Sequence, residues 1–266
     1  MKGFDLKKTV AAATVCLFFP AILAGREGLP GKETLPVMRL SAADTVRLRT
    51  SHATWAIPAV CIAYGVAARF NETPVRRFDK YVAGRVNRNI RRRYPADDYL
   101  QYAPAVAVCG LDFLPGVASR HNLRDRTLLL ATSCLFTGVA VGAMKTGISV
   151  RRPLGYADNS FPSGHTAVAF TGAHLLYREY GGTSPWIGIG GYAVATATGV
   201  LRAVNQRHWV SDVVTGAGIG ILSVEASCLM LPVWHQLLGI RDGGARMAFM
   251  PAVTRTSVEI GWVYTF

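Results

Sequence analysis

Residues 127–144 read TLLLATSCLFTGVAVGAM and residues 145–153 read KTGISVRRP, so an uncharged apolar run ends on Lys145 and is followed at once by Arg151, Arg152 and Pro153. A run of this length is a candidate membrane helix, and its Gly, Ala, Ser and Thr content lets helix backbones approach closely. The same texture recurs outward in both directions, at residues 53–68, 99–118, 163–177, 186–201 and 210–233. With half of the 266 residues hydrophobic and 17% charged, the pattern predicts an all-α helical bundle with about six membrane helices. It excludes a disordered or fibrous chain. A mean hydropathy of +0.25 is low for a polytopic protein, which leaves a soluble helical bundle open at this level.

The flanks divide the chain further. Residues 1–24, MKGFDLKK followed by TVAAATVCLFFPAILA, combine a basic start with an apolar run of signal-peptide length. Ala24 suits a cleavage site although Ile22 does not, and the reading favours a cleaved signal over an uncleaved N-terminal anchor. Residues 25–98 are expected to hold an N-terminal helix, the first span and a basic amphipathic segment. In that segment Val75, Phe78, Val82, Val86 and Ile90 recur at helical spacing among Arg76, Arg77, Lys80, Arg85, Arg88 and Arg91 to Arg93, a pattern suited to an anionic membrane surface. Residues 99–240 form the expected core. Residues 241–266 form a tail in which Val258, Ile260, Trp262, Tyr264 and Phe266 alternate with polar residues, as in a short β-strand.

The formal charge is +13, carried by 29 Lys and Arg of which 23 are Arg. Arg grips phosphate through a planar fork, but basic loops also set membrane topology, and the composition alone does not choose between these. The basic residues sit between apolar segments, not on a polar domain, which argues against nucleic acid. The cysteines (Cys16, Cys61, Cys109, Cys134 and Cys228) lie in apolar runs without CxxC spacing, so neither a metal site nor a disulfide framework is expected.

Three polar clusters stand at the ends of apolar helices. The first runs from Lys145, the only Lys beyond residue 80, to Arg152 and Pro153. The second, Phe161 to Thr166, reads FPSGHT and opens a helix whose free N–H groups suit an anion. The third runs from Arg202 to Asp212, with His208 and Asp212 on one helical face. Together they suggest a phosphoryl site. Lys145, Arg152 and Arg202 would neutralise phosphate, with Ser163 and Gly164 adding hydrogen bonds. Asp212 would orient His208 as nucleophile or base, and His165 would act as general acid. Singly, each cluster has an ordinary structural reading: a helix start, a core histidine, an interfacial salt link. Their coincidence at one end of the bundle weakens those readings. Asp112, His174 and Glu225, inside the apolar segments, are expected to be structural.

The combined pattern K-x6-R-P, P-S-G-H and R-x5-H-x3-D resembles the type 2 phosphatidic acid phosphatase (PAP2) superfamily, which also includes bacterial class A acid phosphatases and vanadium haloperoxidases. The resemblance covers residues 100–233. It implies that Lys145, Arg152, Ser163, Gly164 and Arg202 cradle phosphate, that His208 forms a phosphohistidine with Asp212 as its orienting partner, and that His165 is the acid. Leu201 stands where the family usually places Ser. The apolar spans and the basic helix point to the lipid phosphatase branch. That branch implies a metal-independent hydrolase of a lipid phosphate or diphosphate (lipid A, undecaprenyl diphosphate, phosphatidylglycerol phosphate or phosphatidic acid type) without a cofactor. The alternatives are a soluble-substrate acid phosphatase, a haloperoxidase and a non-catalytic head-group binder. The expected place is the bacterial envelope, as an integral membrane protein of the inner membrane with its site toward the periplasm. The aromatic tail keeps the outer membrane as an alternative. The oligomeric state is unknown.

Overall fold

The structure is a computed structural model describing residues 52–70, 73–90, 93–114, 116–240, 246–253 and 258–265. The signal-like residues 1–24, the polar stretch up to Ser51, and Arg91 and Arg92 of the basic segment lie outside the described residues.

The described residues of the first unit, through Cys228, are mostly helical. Helix α1 spans His52–Ala67 and α2 Pro74–Asn89. A short α3, Asp97–Leu100, leads into α4, Ala103–Gly110, and a 3-10 turn, Leu111–Phe113. Four longer helices follow: α5 Leu123–Gly147, α6 Gly164–Tyr180, α7 Pro185–Val204 and α8 Val210–Leu237. Local signals set these limits. Asn122 caps α5 by accepting the Asp125 N–H at 2.8 Å, and Lys145 lies in its last turn, where the helix dipole favours a cation. Pro185 opens α7, and Asp212 in the first turn of α8 accepts the Trp209 N–H at 2.9 Å, the backward half of a capping box.

Helix α6 is the centre of the unit. Ala167, Ala169, Ala173 and Leu175 on it are fully buried, and it packs against α4, α5 and α7. Small residues permit the close crossings that the sequence anticipates. A Cβ added to Gly216 on α8 would lie 2.5 Å from the Ser163 carbonyl oxygen, so α8 runs directly against the start of α6.

Among the described residues three helices, α5, α7 and α8, are long and apolar enough to cross a membrane, in place of the six spans expected. Helix α1 has 16 residues and α6 has 17. Residues 99–118 depart most from expectation, because those described hold the end of α3, all of α4 and a 3-10 turn, and not one span. Pro104 starts a new helix in its first turn, and Asp112 ends it by turning to the Arg126 guanidinium and the Tyr180 hydroxyl, the latter at 2.8 Å. His174 and Glu225 meet each other at 2.6 Å, and Tyr192 completes the histidine's bonds at 2.5 Å. These ionisable groups have partners of their own, away from the three polar clusters.

Helix α2 bears out the helical spacing but splits its face. Val75, Val82 and Val86 are half-buried, whereas Phe78 and Ile90 are exposed. The most deeply buried residue on α2 is Asp79. The four described cysteines, Cys61, Cys109, Cys134 and Cys228, are free.

The second unit, from Leu229 to Phe266, holds the last turns of α8 and an antiparallel hairpin, β1 Arg246–Val253 and β2 Val258–Thr265. The alternation from Val258 to Tyr264 falls on β2. Its partner β1 lacks a clean period of two and was not anticipated.

Candidate active site

The three polar clusters converge where α5 ends, α6 begins and α7 passes into α8. The 148–162 loop folds back on itself: Val150 N–H donates to the Asp158 carbonyl and Ser160 N–H to the Val150 carbonyl, each at 2.9 Å. This places Asn159 between two cations. Lys145 Nζ donates to its backbone oxygen at 2.8 Å and Arg152 Nε to its side-chain oxygen at 3.1 Å. Arg152 also donates to the Tyr156 hydroxyl at 2.7 Å.

At the start of α6, Ser163 donates its N–H to the Asp212 carbonyl at 3.0 Å, which ties the second cluster to the third. A Cβ on Gly164 would meet only Val141 Cγ1, at 3.7 Å. Packing therefore does not require glycine there; open space at a helix N-terminus does suit an anion.

The end of α7 sets the third cluster. Gln206 adopts φ 57°, a left-handed turn residue whose side chain bonds the Ala83 carbonyl on α2 at 3.0 Å. The turn brings the Arg207 and His208 N–H groups onto the Arg202 carbonyl at 3.1 and 3.3 Å. His208 Nδ1 lies 2.6 Å from the Ser160 carbonyl oxygen. A carbonyl only accepts, so Nδ1 carries the proton and the neutral ring keeps its lone pair on Nε2. Arg202 Nη2 stands 3.3 Å from that nitrogen. Burial first, then the charges of Arg202 and Lys145, hold His208 below the ordinary imidazole range and outweigh Asp212.

Asp212 occupies a different place from the one the sequence suggests. Its Oδ2 is 3.7 Å from His208 Nδ1, beyond hydrogen-bond range, and accepts instead from Ser160 Oγ at 2.5 Å and Trp209 N–H. It therefore fixes the Ser160 segment whose carbonyl orients the ring, and acts on the ring itself through charge.

Two acidic residues missed in the sequence complete the site. Asp97, fully buried, takes Arg202 Nη1 at 2.7 Å and Asn205 Nδ2 at 3.0 Å. Asp98 shares one oxygen between His165 Nε2 at 3.0 Å and Arg202 Nη1 at 3.3 Å. The signal available was an acidic pair directly after an Arg-rich run. Seven of the eight predicted site residues are thus tied together by hydrogen bonds through the 159–160 and 97–98 segments, and Gly164 shares the site only by its place at the start of α6. In it, Arg202 Nε is buried without a hydrogen-bond partner.

The PAP2 superfamily profile matches residues 126–235, which contain all eight residues. Over 105 residues the chain is 54% identical to a protein of Porphyromonas gingivalis named lipid A 1-phosphatase, covering 40% of this chain and 22% of that one. Over 88 residues it is 33% identical to the bacitracin transport permease protein BcrC of Bacillus licheniformis, covering 32% of this chain and 41% of that one. The matched stretch thus spans less than half of either relative. Among solved structures, Aquifex aeolicus LpxE aligns at 24% identity with a TM-score of 0.42, over 53% of this chain and 90% of that one. A PAP2-type phosphatidylglycerolphosphate phosphatase of Bacillus subtilis aligns at 16% identity with a TM-score of 0.42, over 70% of this chain and 98% of that one. The likeness to the PAP2 superfamily thus rests on residues 126–235, less than half of this chain, and on the three clusters that they bring into one site.

Proposed function

We propose that the protein is an integral-membrane phosphatase that hydrolyses a lipid phosphate monoester or diphosphate through a phosphohistidine on His208. The observation that carries this reading is the Nε2 lone pair of a buried, neutral His208 held 3.3 Å from a guanidinium whose Nε has no partner. A nucleophile and an unsatisfied phosphate donor share one spot.

The chemistry follows from the donors present. Lys145, Arg152, Arg202, the Ser163 hydroxyl and the free N–H groups at Gly164 and His165 hold the phosphoryl oxygens and take up the charge that develops on them. Nε2 attacks phosphorus and the bond to the lipid oxygen breaks. His165 gives its proton to that oxygen. The ring becomes cationic, with its Nδ1 proton on the Ser160 carbonyl and the Asp212 charge 3.7 Å away. Water, deprotonated by His165, then attacks phosphorus, the N–P bond breaks and phosphate leaves. The fixed cations supply the charge, so the reaction needs no metal.

The lipid class rests on the three apolar helices and on the relative named for lipid A 1-phosphate chemistry. A lipid A type 1-phosphate is the first substrate to try, ahead of undecaprenyl diphosphate, phosphatidylglycerol phosphate and phosphatidic acid. The same reading places the protein in the inner membrane of a bacterial envelope with the site toward the periplasm. Phosphate release from these lipids in detergent with EDTA tests it, wild type against His208→Ala. Release that resists EDTA, is blocked by vanadate and vanishes in the variant supports the mechanism. Release only from soluble esters, or bromide oxidation after vanadate loading, moves the protein to another branch. Lipid binding that survives His208→Ala without turnover makes it a binder.

A further inference from the structure

Asp212 is completely buried, and only one of its two oxygens is hydrogen-bonded; Oδ1 has no donor. The cation facing Oδ1 comes from outside the family-matched segment. Arg69, on the corner between α1 and α2, places Nη2 3.5 Å from Asp212 Oδ1 and donates to Ser211 Oγ at 2.7 Å. Its Nε donates to the Gly65 carbonyl at 3.2 Å, and its guanidinium lies 4.6 Å from the Phe161 ring centre, beside the second cluster. Asp79 on α2 closes the group. It accepts the Ser211 N–H at 3.0 Å and the Ser211 hydroxyl at 2.5 Å, and sits 3.9 Å from Arg69. Burial pushes the Asp79 carboxyl above and the Arg69 guanidinium below their ordinary values, against the pull of their partners.

We propose that Arg69 is a positioning residue that gives Asp212 its counter-charge and thereby keeps His208 neutral and nucleophilic. A buried carboxylate is stable only when paired, and the pairing decides how much of its field reaches its neighbours. The Asp212 Oδ2 atom is 3.7 Å from the His208 ring, so any charge that Arg69 fails to offset acts directly on that ring. The other groups facing His208 favour the neutral form: Arg202 from α7 and Lys145 from α5. Asp97 and Asp98 from α3 act on Arg202, and Asp79 competes with Asp212 for Arg69. Removing the Arg69 charge leaves Asp212 to stabilise the imidazolium. His208 then holds a proton, and its Nε2 lone pair is lost, at a pH where the wild type is still active. Removing the Asp79 charge does the opposite, because Arg69 is left to Asp212 alone.

The effect on His208 is a property of the resting site, whereas its consequence for turnover rests on the phosphatase reading. The test therefore reads the ring itself. The full chain is labelled with ¹⁵N-histidine in detergent micelles, and the His208 resonance is assigned among the six histidines by its loss in His208→Ala. It is then titrated in wild type, Arg69→Met, Arg69→Lys and Asp79→Asn. The expected result is a midpoint about one pH unit higher in Arg69→Met, restoration to near wild type in Arg69→Lys, and a lower midpoint in Asp79→Asn. An unchanged or lowered midpoint in Arg69→Met overturns the proposal. If Arg69→Met fails to fold, an unchanged or raised midpoint in Asp79→Asn overturns it. Absence of phosphate release from every lipid defeats the phosphatase reading and leaves this titration intact.

Discussion

Truncating Asp97 to Ala removes the carboxylate that holds Arg202 in place, and the structure fixes what that costs. Asp97 is fully buried and Arg202 is 2% exposed, and both carboxylate oxygens are engaged, one by Arg202 Nη1 at 2.7 Å and one by Asn205 Nδ2 at 3.0 Å. Removing one member of a buried pair costs about 3–5 kcal/mol, and Asp98, 3.3 Å from the same Nη1 but 40% exposed, offsets the freed charge only in part. At about 2–4 °C per kcal/mol for a chain of this size, that lowers the unfolding temperature by about 6–20 °C. Activity falls too, because Arg202 loses its anchor next to Nε2, and a displacement of about 1 Å at a reacting centre costs about 100-fold in rate. The neighbouring Asp98 makes the contrast. Its side chain is 40% exposed, so Asp98→Ala costs about 0.5 kcal/mol or less in stability, while the bond to His165 is lost. The assay is thermal unfolding in detergent together with phosphate release, comparing Asp97→Ala, Asp98→Ala and wild type. Equal unfolding temperatures for Asp97→Ala and wild type, or a larger stability loss in Asp98→Ala than in Asp97→Ala, would mean that Asp97 is not what holds Arg202.

Ser160→Ala removes the 2.5 Å bond to Asp212 but leaves Trp209 N–H on the same oxygen, and a hydrogen bond to a charged group is worth about 1.5–3 kcal/mol; turnover is expected to fall at least tenfold with little change in KM, measured by steady-state kinetics. Gly216→Ala drives a Cβ to 2.5 Å from the Ser163 carbonyl oxygen, so unfolding assays should show a loss of about 1–3 kcal/mol together with reduced activity. Because His208 is held below the ordinary imidazole value of about 6.5, its neutral form persists as the pH falls through that value, and the acid limb of kcat/KM belongs below it. The stability contribution has the same sign: it is present above about pH 6.5 and is lost as the pH falls toward the depressed folded value, which acid unfolding curves will show. Lys80, Arg85 and Arg88 of α2 are exposed; changing all three to Gln should raise KM for a lipid phosphate in anionic vesicles and leave a water-soluble ester unaffected, and equal loss on both substrates would count against lipid contact.

The helices around the site were legible as apolar runs, and α6 also by Pro162 and Ser163 at its start; the cap at Asn122 places the start of α5 four residues before the apolar run begins. That Lys145, Arg152, His165, Arg202 and His208 come together was legible because each stands at the end of an apolar helix, and those ends meet on one side. What failed was what depends on contacts distant in sequence. Residues 99–118 look like one span by hydropathy, yet Asp112 is drawn out of the helical register by Arg126 and Tyr180, neither of which is a neighbour in sequence. Asp212 looked like the partner of His208 because a spacing of four puts both on one face, but α8 starts at Val210, after His208, so the helical argument did not apply. The Ser160 carbonyl took the role instead, and a backbone carbonyl leaves no trace in residue type. Arg69, Asp79, Asp97 and Asp98 were hidden for another reason. Among so many basic residues, only packing distinguishes the arginine that pairs with a buried aspartate from those facing outward.

Attack of His208 Nε2 on phosphorus, as proposed, leaves a covalent phosphohistidine that can be trapped. A lipid A type 1-phosphate carrying radiolabelled phosphate is mixed with the protein, quenched in alkali, where phosphohistidine survives, digested and sequenced by mass spectrometry. Label on the peptide that contains His208, absent in His208→Ala and removed by acid, is the predicted result. Phosphate release by wild type with label on another residue, or undiminished release by His208→Ala, would contradict it.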